Sequence, residues 1–413
     1  MQGNEPLGLV RVRETRLCTR RTFFAILFLL ALPLPCVVAA KEYAGGGSQA
    51  CYGPALDDMY NGKFGRARRL LESCTRANPA DYRALNYLAM TLLDQEMMRE
   101  DLFRGSVFMN AGAVFHAQVQ PLPAGFDQRI NQILDKARSL ETARLKKNPN
   151  DTDALYWLGV THSRRAEFDF VLLRSYFSAL HEGKAAYRIN EKLLQLDPRF
   201  VDAYFVIGLG KYTIGMLPWY AKLVVSLAGV HGDVSEGIAD LERVSHTGNY
   251  ARVDAEIVLA TVYEREKEYP KAVALLRQLF REYPQNSLAL LEIARIQRLQ
   301  DNWKAAAETY DAAAAKFARA QNPLIPRATI LYRAGQAHEH LGEWQRALEL
   351  YDEAGRIPGH PRDKYRAILA AARLNQRLNR LDEAKRQYQI VAGAVPHTDM
   401  GKEARRALRA LDF

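Results

Sequence analysis

The chain has 413 residues, 48% of them hydrophobic and 25% charged, with a formal net charge of +10. These figures are ordinary for a folded chain, and the length suits two or three globular domains or one long solenoid. The positive balance permits acidic partners or membrane surfaces without requiring either.

The N-terminus carries Arg11, Arg13, Arg16, Arg20 and Arg21 ahead of an apolar run from Phe23 to Leu34. A basic start, a short greasy core and small residues at Val38 and Ala40 have the form of an export signal cleaved after Ala40. The run falls short of the roughly 20 residues that a spanning helix needs. Arg20-Arg21-Thr22-Phe23 resembles a twin-arginine signal, although so apolar a core suits the general route better. Cys36 stands near a lipoprotein position behind Pro35, and an uncleaved anchor is a further alternative. Removing residues 1–40 takes away five Arg and two Glu and lowers the formal charge from +10 to +7. Residues 41–49 then read as a short flexible leader.

Beyond the leader the pattern is helical and repetitive. Tyr52 to Pro79 forms a first unit with a weak opening helix, interrupted at Gly53-Pro54, and a clear second helix carrying Ala67, Leu71 and Cys74. The second unit opens at Leu85, Leu88, Ala89 and Leu92. An insert from roughly Asp94 to Phe126, with Gly105, Gly112, Pro121, Pro123 and Gly125, delays its second helix to residues 127–148. The third opens at Leu155, Trp157 and Gly159 and contains a shorter insert around Phe168, Phe170 and Phe177. The fourth opens at Tyr204, Ile207 and Gly208 and resumes at Gly232-Asp233 after an insert from Lys211 to Val230 that includes Trp219, Tyr220 and Leu223. From Val253 the period is regular, with units beginning at Val253, Ser287, Ala328 and Tyr365, and a Lys- and Arg-rich last helix from Met400 to Leu411.

Val253 to Asn286 shows the repeat most plainly. Leu259, Tyr263, Leu276 and Leu279 are apolar at helical spacing, Ala260 and Ala272 are small where two helices cross, and Pro284 closes the unit. A period of about 34 residues with these features resembles the tetratricopeptide repeat. One such hairpin cannot bury its own apolar faces, so the resemblance implies an all-α solenoid of about eight helix-turn-helix units. Four would be irregular (50–249), four regular (250–398), and residues 399–413 would cap the end. A narrower resemblance covers Leu217 to Leu241, whose Leu-Pro, apolar helix and Gly-Asp-x-x-x-Gly-x-x-x-Leu order looks like an element of the inclusion-body-clearance family of tetratricopeptide proteins.

No catalytic constellation is evident. His338 and His340 are i and i+2 on a helix and point to different faces, so they cannot share a metal as an i, i+4 pair would. No phosphate-binding loop, cofactor motif or nucleic-acid motif appears. What a solenoid offers is an inner surface lined by the first helix of each repeat. Arg295, Arg298, Tyr332, Gln336, Arg366, Arg373 and Arg377 take inward positions there. Residues 364–413 hold eleven Lys or Arg against five Asp or Glu. Arginine forks suit an acidic or carboxylate-ended protein segment, while a plain solvated helical face is the alternative. Ile257, Thr261, Leu291 and Arg295 do not reproduce the Lys–Asn pairs of chaperone-tail clamps. The apolar inserts either fill the bore of the superhelix or lie in a membrane interface.

Cleavage after Ala40 would leave Cys51 and Cys74 as the only cysteines. They lie eleven residues before and twelve after Gly62, so an antiparallel hairpin turning there brings them face to face, and export favours a disulfide. The reading is an exported, non-enzymatic protein-binding scaffold of the cell envelope, with a membrane-peripheral assembly subunit as the alternative.

Overall fold

Each unit begins with a helix whose apolar residues recur on more than one face, followed by one with a single apolar stripe. The first must therefore be covered from both sides and the second from one. The computed structural model describes residues 49–99, 121–217, 231–320, 324–358 and 361–411. These residues form seventeen α-helices and no strand. The signal, the leader up to residue 48, and Trp219, Tyr220 and Leu223 lie outside the described residues.

The helices pair as eight antiparallel hairpins. In order they are α1 (Gln49–Tyr60) with α2 (Phe64–Ala77), α3 (Tyr82–Arg99) with α4 (Phe126–Lys147), and α5 (Thr152–Glu167) with α6 (Tyr176–Leu196). Next come α7 (Tyr204–Gly215) with α8 (Val234–Thr247), α9 (Arg252–Arg265) with α10 (Tyr269–Glu282), and α11 (Ser287–Leu299) with α12 (Trp303–Lys316). The last pairs are α13 (Arg327–His340) with α14 (Trp344–Arg356) and α15 (Pro361–Arg377) with α16 (Leu381–Ala394). A closing helix, α17 (Asp399–Leu411), packs on α16. Contrary to the sequence reading, α1 runs unbroken through Gly53-Pro54. Pro54 lies in its second turn and forgoes one hydrogen bond of the ladder, and buried Tyr52, Ala55, Leu56 and Met59 hold the helix in place.

Five hairpins turn in the same way. Gly62, Lys267, Asp301, Gly342 and Asn379 have φ between 58° and 78°. The N–H of the following residue reaches back to the carbonyl five positions earlier, as from Lys63 to Asp58 at 2.7 Å and Arg380 to Asn375 at 2.8 Å. This Schellman turn satisfies carbonyls that the helix end would otherwise orphan. A bulky residue then starts the second helix: Phe64, Tyr269, Trp303, Trp344 or Leu381. Crossings within hairpins are close. A Cβ on Gly237 would lie 2.4 Å from the Tyr212 nitrogen, and one on Gly208 would lie 2.9 Å from the Gly237 carbonyl oxygen, so α7 and α8 touch backbone to backbone.

The first five hairpins and the start of the sixth share one core. Tyr52, Tyr87, Trp157 and Tyr250 form a chain of rings with centroids 5.0, 5.2 and 5.4 Å apart. Fully burying an aromatic such as Trp157 contributes on the order of 3 kcal/mol. The third unit's insert joins this core: Phe168–Leu172 is a π-helical turn whose side chains are all buried, although Phe177 remains exposed. The first hairpin also reaches across to the fifth and sixth. The Tyr60 ring lies 4.6 Å from that of Tyr283, Asn61 Oδ1 accepts from Gln285 N at 3.0 Å, and Asn286 Nδ2 donates to the Tyr60 carbonyl at 3.0 Å. From α12 onward the core divides into smaller clusters between successive helices.

Cys51 and Cys74 are bridged, with Cα atoms 5.8 Å apart. The bond ties the start of α1 to the end of α2 and so fixes the hairpin whose other end meets Tyr283. In the chain-entropy account, a loop of this length is worth about 3 kcal/mol. Replacing both cysteines by Ala is expected to lower the melting temperature of the oxidised protein, and reductant should lower the parent's but leave the variant's unchanged.

Candidate partner-binding groove

The inner face of the solenoid belongs to the first helix of each hairpin, and the two halves of the chain use it differently. In the first half it is closed. Met90 and Asp94 of α3, Arg164 of α5 and Asp254 of α9 occupy inward positions and are buried. Arg164 Nη1 donates to Glu167 Oε2 at 3.1 Å, and Nη2 lies 2.8 Å from Met90 Sδ. One guanidinium thus serves three buried carboxylates: Asp94, Glu167 and Asp254. Burial pushes all three above the ordinary carboxylate range, with Arg164 opposing the shift. A second buried carboxylate site lies between α3, α4 and α5. Glu141 Oε1 accepts from Asn86 Nδ2 at 3.0 Å, and Thr161 Oγ1 lies 2.9 Å from both of its oxygens. Burial outweighs these bonds and raises the Glu141 carboxyl to about 8.

In the second half the inner positions stay partly open. Arg295 forks to Glu264 at 2.5 Å and Glu292 at 2.8 Å, and its side chain keeps 17% of its exposure. Arg298 lies over the Trp303 ring at 5.6 Å, and the same ring stacks on His340 at 3.8 Å. Gln336 Nε2 donates to Tyr332 Oη at 3.0 Å. Arg366 pairs with Asp363 at 3.5 Å, Arg373 binds Glu403 in a fork with both bonds at 2.6 Å, and Arg377 lies 4.4 Å above the Trp344 ring. Of the residues proposed from sequence, Tyr332 and Gln336 meet directly, while each arginine is turned to a partner within the solenoid. Arg373 and Arg377 are the most exposed. His338 faces Asp311 and Glu343 while His340 faces Trp303, as their i, i+2 spacing requires. Among the described residues no group of three or more His, Cys, Asp or Glu could hold a metal ion.

The tetratricopeptide repeat family model matches residues 52–98, 257–323 and 291–361. The stretches so matched are similar to tetratricopeptide repeats. No curated protein sequence matches it. Among solved structures, PilF of Pseudomonas aeruginosa is 16% identical, covering 63% of this chain and 100% of that one, with a TM-score of 0.37. A tetratricopeptide repeat protein from Parabacteroides merdae is 15% identical over 78% of this chain and 98% of that one, with a TM-score of 0.30. Yeast Tom70 is 15% identical over 87% and 88%, with a TM-score of 0.35. The likeness lies in the helical-repeat fold. None of these matches supports the narrower resemblance at residues 217–241, much of which lies outside the described residues.

The buried polar residues of repeats two, three and five were not anticipated from sequence. Their signal is a charge at an inward position of a helix that is apolar on its other faces, as with Asp94, Arg164 and Asp254. They carry a pH dependence. Glu141 and Glu256, the latter raised to about 7 by burial, bind protons in the folded state that the unfolded chain has released above the ordinary carboxylate range. Their stabilisation is full below that range and is lost as pH rises through 7 to 8. The melting temperature is expected to be higher at pH 5.5 than at pH 8, by on the order of 5 °C. Glu141→Gln should remove part of that difference.

Proposed function

We propose that this tetratricopeptide repeat protein is an exported, non-enzymatic scaffold of the cell envelope that binds an acidic segment of a partner protein along the inner face of its last three repeats. The observation that carries the reading is the state of α15. Arg373 and Arg377 remain exposed, and their partners, Glu403 and the Trp344 ring, are local groups that an incoming carboxylate can replace. A guanidinium fork engages a carboxylate through two charge-assisted bonds, and Arg366 extends the cationic row by two helical turns. Tyr332 and Gln336 offer neutral hydrogen-bonding groups one repeat earlier. Export is supported by the arginine-rich start, the short apolar run and Val38-x-Ala40, and a Cys51–Cys74 bridge suits an oxidising compartment.

Replacing Arg373 and Arg377 together by Ala should weaken capture of the partner from an envelope extract at least tenfold while leaving helicity unchanged. Capture by the parent should also decline steeply with added salt. Unchanged capture would mean that this face is merely solvated. N-terminal sequencing of protein recovered from the native envelope is expected to begin at Lys41.

A second reading, membrane contact, is favoured by one feature. Phe177 is 70% and Leu173 is 40% exposed at the start of α6. Tyr187 of α6 packs on Gly210 of the antiparallel α7, which places that start beside the end of α7, where Gly215 and Gly232 touch at the base of the fourth unit's insert. No helix among the described residues is long and apolar enough to cross a membrane, so contact would be peripheral. Co-flotation with liposomes that is lost in Phe177→Ser would select this reading.

A further inference from the structure

A cavity of about 90 Å³ lies where the end of the first hairpin meets repeats two, five and six. Its wall is mostly apolar, with Met98, Ile257 and Leu288 among its residues, and its polar side chains include Tyr60, Asp94, Glu264 and Glu292. Two of these polar groups are unsatisfied. Tyr60 is 3% and Asp94 is 1% exposed, and neither Tyr60 Oη nor Asp94 Oδ1 has a hydrogen-bond partner. Unsatisfied polar atoms this deep are costly unless something binds them.

The charge at this place is also unbalanced. Glu264 and Glu292 share the single guanidinium of Arg295, and Asp94 shares Arg164 with Glu167 and Asp254. Three carboxyl groups, those of Asp94, Glu264 and Glu292, therefore line one mostly apolar space that no Lys or Arg among the described residues lines. An anion is excluded by this arrangement, and a neutral apolar group would leave Asp94 Oδ1 unmatched. An aliphatic shaft ending in a cationic donor matches both the apolar wall and the acidic lining. A cavity of this size admits a slender chain of a few non-hydrogen atoms, such as the side chain of lysine. Its ammonium carries three donors, enough for Asp94 Oδ1, Tyr60 Oη and one further acceptor. Ile257 and Leu288 lie on α9 and α11, the first helices of repeats five and six, so the cavity lies at the boundary between the closed and open stretches of the inner face.

We propose that this cavity is an anchor pocket for a lysine side chain of a bound protein segment. It is separate from the arginine face, since Arg298, Arg366, Arg373 and Arg377 are not among its lining residues.

The test uses the full oxidised chain and two small probes at equal ionic strength: n-butylammonium chloride, which represents the side chain alone, and 1-butanol, its uncharged counterpart. Calorimetry and thermal shift are expected to show saturable binding of butylammonium, with butanol at least tenfold weaker. Asp94→Asn should weaken butylammonium at least tenfold. Because that substitution could disturb the neighbouring charges, Thr261→Leu provides a second variant that fills the cavity with an apolar side chain. It should abolish probe binding without lowering the melting temperature. The pentapeptide Ac-Ala-Ala-Lys-Ala-Ala-amide should compete with butylammonium, and its norleucine counterpart should not. Equal binding of the two small probes would show an apolar cavity only and overturn the proposal. So would absence of butylammonium binding, or binding that survives both variants. Binding of butylammonium without competition by the lysine peptide would mark a site for a free amine and reject the peptide anchor.

Discussion

The structure depends on the place where its first hairpin meets its fifth and sixth. Tyr60 packs on Tyr283, Asn61 accepts from the Gln285 N–H, and Asn286 donates to the Tyr60 carbonyl. Asn286 does double duty, since its Oδ1 also caps α11 through the Ala289 N–H at 3.2 Å. An uncapped, unclosed junction would leave backbone groups of both segments without partners at a buried site, at a cost of about 1–3 kcal/mol for each group. The Cys51–Cys74 bridge acts at the far end of the same hairpin and limits how far it can splay. Closure in turn lets α3, α5 and α9 bury the faces that an open superhelix would expose.

Two different structures are thereby built from one repeat. Where the inner faces converge, the interior is a continuous core with rings from four units and an embedded set of carboxylates. Where they do not, each repeat packs only on its neighbours, as repeat solenoids generally do, and the inner face remains open to bind. The inserts fall in the closed part, which also takes in the first regular repeat, and the remaining regular repeats form the open part. That division has a physical basis: a repeat that must fit a curved, filled interior tolerates departures from the period that a simple stack would not accommodate.

The closed half also contains the costly part of the molecule. Buried carboxylates with too few cations do not arise from optimising a core, because replacing such groups with apolar ones is often neutral or stabilising. Asp94, Glu167 and Asp254 lie together around Arg164, while Glu141, Glu182 and Asp202 are held by local hydrogen bonds elsewhere in the fold. The placement of the first three is easier to understand as a requirement of what the protein holds than as a requirement of its folding.

Much of the fold was legible in the sequence, and the reasons are local. Small residues such as Ala260 and Gly208 must stand where helices cross, apolar residues must recur at helical spacing, and Pro284 must follow a helix end; each acts within one or two units of chain. The Cys51–Cys74 pairing was legible for the same reason, since a hairpin turning at Gly62 determines which positions oppose one another. The partners of Arg295, Arg373 and Arg377 were harder to foresee, because Glu264, Glu403 and Trp344 lie on neighbouring repeats whose relative rotation sets the contacts. The docking of Tyr60 on Tyr283 could not be read at all, since it joins residues more than two hundred positions apart through the summed twist of the intervening hairpins. Sequence determined the hairpin; the superhelix decided that Asp94, Arg164 and Asp254, each an ordinary inward charge on its own helix, would be sealed together in one interior.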